Sequence, residues 1–128
     1  MQEQHVFESA VIRVVPQVER EEFLNVGVIL YCKDEKFLQL KFEINEARIR
    51  AFCAEFDLQE LRGQLNAFEQ ICKGGKEGGS IGELTMPERF RWLTATRSTI
   101  VQTSKVHPGL CINAGEMLER LFTQMVLK

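Results

Sequence analysis

The 128-residue sequence predicts an α+β domain: an antiparallel sheet of about four strands, three N-terminal and one after a helical middle, packed against two to four helices. Three observations predict it. Residues 1–44 hold three β-rich runs separated by short polar connections. Residues 45–73 change to helical spacing with capping residues. One isolated β-rich run then returns, between a short helix and a final helix.

Val6 to Val15, VFESAVIRVV, becomes almost continuously apolar, as a strand does when both of its faces are covered, and Pro16 ends it because proline has no N–H for a ladder. QVEREE is a polar turn. Phe23 to Cys32, FLNVGVILYC, is the second strand, KDEK the next turn, and Phe37 to Ile44, FLQLKFEI, the third strand. Asn45 is an N-cap residue ahead of Ile49, Phe52, Cys53 and Phe56, which fall on one helical face. Asp57 caps a second helix with Glu60 three residues on and Leu58, Leu61, Leu65, Phe68 and Cys72 as its apolar stripe. Lys73, Gly74 and Gly75 supply its basic last turn and its stop.

GGKEGGSIG, residues 74–82, follows a helix and lacks the Lys-Ser/Thr ending of a phosphate-binding loop, so it is expected to be a flexible linker. Pro87 suits the first turn of a short helix, PERFRWL. Arg97 to Lys105, RSTIVQTSK, is the late strand, and it is oddly polar. Ser98, Gln102 and Ser104 share one face with Ile100 and Val106, while Arg97, Thr99, Thr103 and Lys105 share the other with Val101. An edge strand explains such polarity, and so does a binding site. Asn113 with Glu116 opens a last helix carrying Met117, Leu118, Leu121, Phe122 and Met125 on one side. No internal repeat or boundary divides residues 1–128, so a single domain is expected.

Composition narrows the function classes. A net charge of −2 lacks the cationic excess that general nucleic-acid or anionic-membrane binding requires. No apolar run approaches the roughly 20 residues of a membrane-spanning helix. Cys32, Cys53, Cys72 and Cys111 form no C-x-x-C pair, and the N-terminus lacks the pattern of a signal peptide. Reduced thiols in the cytoplasm are expected.

Several residues could carry chemistry. Arg13 lies among Val11, Ile12, Val14 and Val15, where a guanidinium needs a partner; Glu19, Glu21 and Glu22 in the following turn are the expected ones, either as an internal ion pair or around a ligand. Asn25 and Gly27 fall on one strand face by period two and mark either a close approach or a β-bulge. Arg89, Arg91, Arg97, Ser98 and His107 offer donors for a phosphate or carboxylate. Ser98 with His107 lacks the G-x-S-x-G turn of a hydrolase. His107 with Cys111 is at most half a metal site, the other cysteines being scattered, so no metal or cofactor is expected. Trp92, with Phe90, reads as a core anchor.

AVIRVVPQVEREEFLNVGVILYC near the start and RFRWLTATRSTIVQTSKVHPGLC near the end resemble the bacterial family catalogued as domain of unknown function 3037. The resemblance implies no established activity, cofactor or catalytic residue. It implies a bacterial protein that can be encoded beside a HipA-like kinase, and so an accessory role with that kinase as partner. The expected function is therefore binding, of an anionic ligand or a protein partner, at a polar site made by Arg13, Glu19, Glu22, Asn25, Arg97, Ser98, Gln102 and His107. Two rivals stand beside it. One is an enzyme on a phosphorylated or nucleotide substrate, with Arg13 and Arg97 clamping the anion and Glu22 or His107 as base. The other is a structural subunit in which these groups satisfy one another.

Overall fold

The computed structural model describes residues 3–127. It is an α+β fold built on a five-stranded antiparallel sheet of β1 (His5–Val14), β2 (Leu24–Cys32), β3 (Phe37–Phe42), β4 (Val101–Thr103) and β5 (His107–Cys111). The order is β3-β2-β1, with β4 and β5 sharing the far side of β1: β4 pairs with its end at Ile12–Val14 and β5 with its beginning at His5–Ser9. The polar run 97–105 thus yields only three strand residues, at the sheet's edge, and a fifth strand follows that its sequence, HPGLC, conceals. Proline and glycine are poor strand formers, and an edge strand is where they are tolerated.

Helices cover both faces of this sheet. On one side lie α1 (Glu46–Phe52), α2 (Leu58–Lys73), the short turn α3 (Gly79–Gly82) and α4 (Met86–Leu93), and on the other α5 (Ala114–Phe122). Alternation along β1 explains the division: Ala10, Ile12 and Val14 join Leu61, Leu65, Phe68, Phe90 and Leu93 in one core, whereas Phe7 joins Leu118 and Phe122 in the other. Burying each such Leu or Phe stabilises the fold by about 1.5–3 kcal/mol.

The caps act as the sequence suggests. Asn45 accepts from Arg48 N–H, Asp57 from Gln59 and Glu60 N–H, and Asn113 from Glu116 N–H. A capping box of Thr85 and Glu88 starts α4. Three details depart from the periodic reading. α1 ends at Phe52, which is left exposed, and Phe56 is buried from the turn beyond it. Residues 74–82 are no open linker: Gly75 N–H donates to Gly82 O across two short helical turns, and a Cβ on Gly82 would lie 2.4 Å from that glycine's carbonyl oxygen. α5 runs into a π-helical turn, Thr123–Leu127, whose wider winding buries Val126 and leaves Met125 exposed.

Ser104 closes the gap between β4 and β5. Its N–H donates to Val11 O, its hydroxyl accepts from Val11 N–H, and that hydroxyl donates to Lys105 O, so one buried side chain replaces a missing ladder bond. Ser104→Ala strands the Val11 N–H and is expected to cost about 1–3 kcal/mol in a urea titration, whereas Ser98→Ala, at an exposed position, stays within about 0.5 kcal/mol of the parent.

Candidate functional site

A bulge builds the site. The β1–β2 register runs Ile12 to Gly27 and then Arg13 to Asn25, so Val26 is the extra residue. Val26 turns into the core beneath α2, and the parity of the strand flips there, so Asn25 stands beside Arg13 on the α5 side rather than sharing a face with Gly27 as strict alternation requires. On the other flank of β1, Gln102 is paired with Arg13. Asn25, Arg13 and Gln102 therefore form a row across three strands.

The Arg13 guanidinium lies 3.8 Å from the ring centroid of Phe23 and forms no ion pair among the described residues. The expected pairing with Glu19 or Glu22 does not occur. Glu19 is exposed, and Glu22 binds Arg20 at 2.5 Å, which holds its carboxyl below the usual carboxylate range. The aromatic face of Phe23 takes the place of the carboxylate, a contact worth about 0.5–2 kcal/mol. Asn25 Nδ2 donates to Met125 O, tying the row to the C-terminal turn, and Gln102 Nε2 donates to Thr99 O. Two buried atoms in the row stay unmatched: Arg13 Nε, a donor, and Asn25 Oδ1, an acceptor. Buried polar atoms are almost always paired, and these two find no partner among the described residues.

The remaining candidates disperse. Arg97 lies against the helices of the opposite face, over Trp92 at 4.6 Å and Phe68 at 5.1 Å, and donates to Trp92 O and Ala95 O. Its partial burial lowers the guanidinium pKa from its ordinary value. Arg13 and Arg97 thus cannot close on one anion. Trp92 is 39% exposed beneath Arg97, and Phe90, 1% exposed, is the core anchor of α4. Ser98 precedes the point where Ile100 meets Val15, while His107 pairs with Ser9; that separates them by roughly 20 Å of strand and rules out a serine–histidine couple. His107 does border the α5-side face, where Phe7, Ser9, Val11, Leu121 and Met125 line an apolar groove of about 180 Å³.

The family model described as Protein of unknown function (DUF3037) matches residues 9–126. The chain belongs to the DUF3037 family. No curated protein and no solved structure matches it. The matched span holds every residue of the row.

Two features of this DUF3037 chain escaped the sequence reading. A cleft of about 480 Å³ lies between β3 and the ends of α2 and α4, with Lys36, Lys73, Glu69 and Arg89 on its walls. Arg89 donates to Leu84 O while its Nε is buried and unmatched. Only Arg89 was visible as a candidate, since the cleft's other walls come from distant segments. The second feature is thiol placement. All four cysteines are free, and Cys32 and Cys111 meet. Burial, with Cys32 and Glu35 adding to it, pushes the Cys111 thiol up to about 11, and burial pushes Cys72 up to about 12. Neither is an activated nucleophile. Among the described residues no helix is long and apolar enough to cross a membrane.

Proposed function

We propose that this chain is a binding module that docks an extended segment of a protein partner on the α5-side face at Arg13, Asn25 and Gln102. The observation that carries this reading is the unmatched pair, Arg13 Nε and Asn25 Oδ1. A carboxylate or a fully ionised phosphate ester offers acceptors alone and would leave Asn25 Oδ1 unpaired, whereas a peptide amide brings a carbonyl for the first and an N–H for the second. Phe23 and Met125, both 43% exposed, flank the row and supply apolar surface of the kind interfaces use. A HipA-like kinase in the cytoplasm, the partner implied by the family resemblance, is the first protein to try.

Calorimetry of the chain with that kinase tests the reading. Binding is expected, with Arg13→Met weakening it tenfold or more, as the loss of one hydrogen bond to a charged group does. Arg97→Met should leave affinity unchanged. No binding, or equal loss in both variants, would overturn the assignment of this face. A melting-temperature rise with phosphate or nucleotides that Arg13→Met removes would replace the peptide by an anion.

A further inference from the structure

Cys32 is the last residue of β2 and Cys111 the last of β5, and both strands end beside the Lys33–Lys36 turn and the start of α5. The two sulfurs and a carboxylate oxygen of Glu35 lie within 4.8 Å of one another. Both thiols are buried, at 0% and 3% exposure, whereas Glu35 is exposed and forms the open side. One Glu35 oxygen accepts from Ala114 N–H at 2.6 Å, which fixes the carboxylate against the helix and leaves lone pairs free.

His5 is the cross-strand partner of Cys111. Asp34 engages its Nδ1 at 3.3 Å, which leaves Nε2 as the nitrogen available to a ligand. A carboxylate on one ring nitrogen of a histidine is the arrangement that orients such side chains toward metals.

We propose that Cys32, Cys111 and Glu35 form a binding site for a thiophilic divalent cation of the zinc class, to which a turn of the His5 ring, outside the 4.8 Å cluster, would bring a fourth donor. Two thiolates, an imidazole and a carboxylate are the donor types of four-coordinate zinc, and zinc–sulfur bonds of about 2.3 Å bring two sulfurs into the separation range seen here. A disulfide fits less well. It needs Cα atoms within about 7 Å. β1 stands between β2 and β5, and two strand spacings amount to about 9–10 Å. The sulfurs themselves, within 4.8 Å of each other and of a Glu35 oxygen, are the observation on which an ion site rests. On loading, each thiol releases its proton to solvent and the two thiolates with the Glu35 carboxylate more than neutralise the dication, while the ion staples the β2–β3 turn to the start of α5.

Cobalt titration of the full reduced chain tests this. One equivalent of Co²⁺ should produce thiolate-to-cobalt charge-transfer absorption that Zn²⁺ then bleaches, and Zn²⁺ should raise the melting temperature. Cys111→Ser should abolish the absorption and Cys53→Ser should retain it. Because loss of a buried thiol can disturb folding, Asp34→Asn and Glu35→Gln, both at exposed positions, serve as second variants; each should weaken binding by roughly 10-fold or more with the circular dichroism unchanged. No charge-transfer band in the parent, a band that survives in Cys111→Ser, or undiminished affinity in Glu35→Gln would overturn the site. Full affinity in His5→Ala would remove His5 from it.

Discussion

Gly27→Val is expected to destabilise the protein by about 3 kcal/mol or more and to lower the melting temperature by roughly 10 °C. A Cβ on Gly27 would lie 2.6 Å from Lys41 O and 2.9 Å from Phe42 Cβ. The first of these is backbone in the adjoining strand, so relief requires β3 to move away and its ladder with β2 to open. The same substitution should also disturb the bulge that sets Asn25 beside Arg13, because Gly27 is the first residue on its regular side. Thermal and urea unfolding measure the first effect. Loss of the partner affinity that Arg13 supports, measured below the new melting temperature, reads the second. A stable Gly27→Val protein would mean that the close contact between β2 and β3 is not what requires glycine.

Phe122→Ala is expected to cost about 3–5 kcal/mol, because it empties the centre of the smaller core. Phe122 is 3% exposed and packs with Phe7, Val28, Leu30 and Leu118, while Lys41 covers its ring at 4.9 Å and pairs with Glu119. The loss should fall unevenly. Amide hydrogen exchange should rise most in α5 and the turn after it, and less in α2, whose side chains pack in a separate core on the opposite face. Equal loosening of both helices would show that the two cores unfold as one unit. By contrast, Arg13→Met should change stability by no more than about 2 kcal/mol, since no carboxylate is stranded by its removal.

What the sequence disclosed was local, and what it hid was set by pairing. The caps at Asn45, Asp57 and Asn113 are read from a residue and its near neighbours, and each holds in the structure. Arg13, Asn25 and Gln102 were recognisable as polar residues in β-rich runs, but their meeting depends on a bulge at Val26 and on the β1–β4 register, neither of which leaves a periodic trace. Alternation already put Arg97 on the face of Val101, opposite Gln102, and it lies there in the structure, from the loop before β4, against Trp92 and Phe68. Cys32 and Cys111 looked scattered because their proximity runs across β1, and β5 went unseen because Pro108 and Gly109 give no strand signal.

The central place of β1 also governs how the chain is born. β1 is made before the other strands of the sheet, and only β2 soon follows to pair with it; its other edge waits until Val101 to Cys111 have been made. Through most of synthesis a long apolar strand therefore presents unpaired N–H and C=O groups along one side, the circumstance that favours association with other nascent chains. Closing that edge joins β1 to the distant β4 and β5, contacts of high order that slow folding. A chain cut short before β4 is accordingly expected to aggregate, and the native sheet to form only once β4 and β5 have been made.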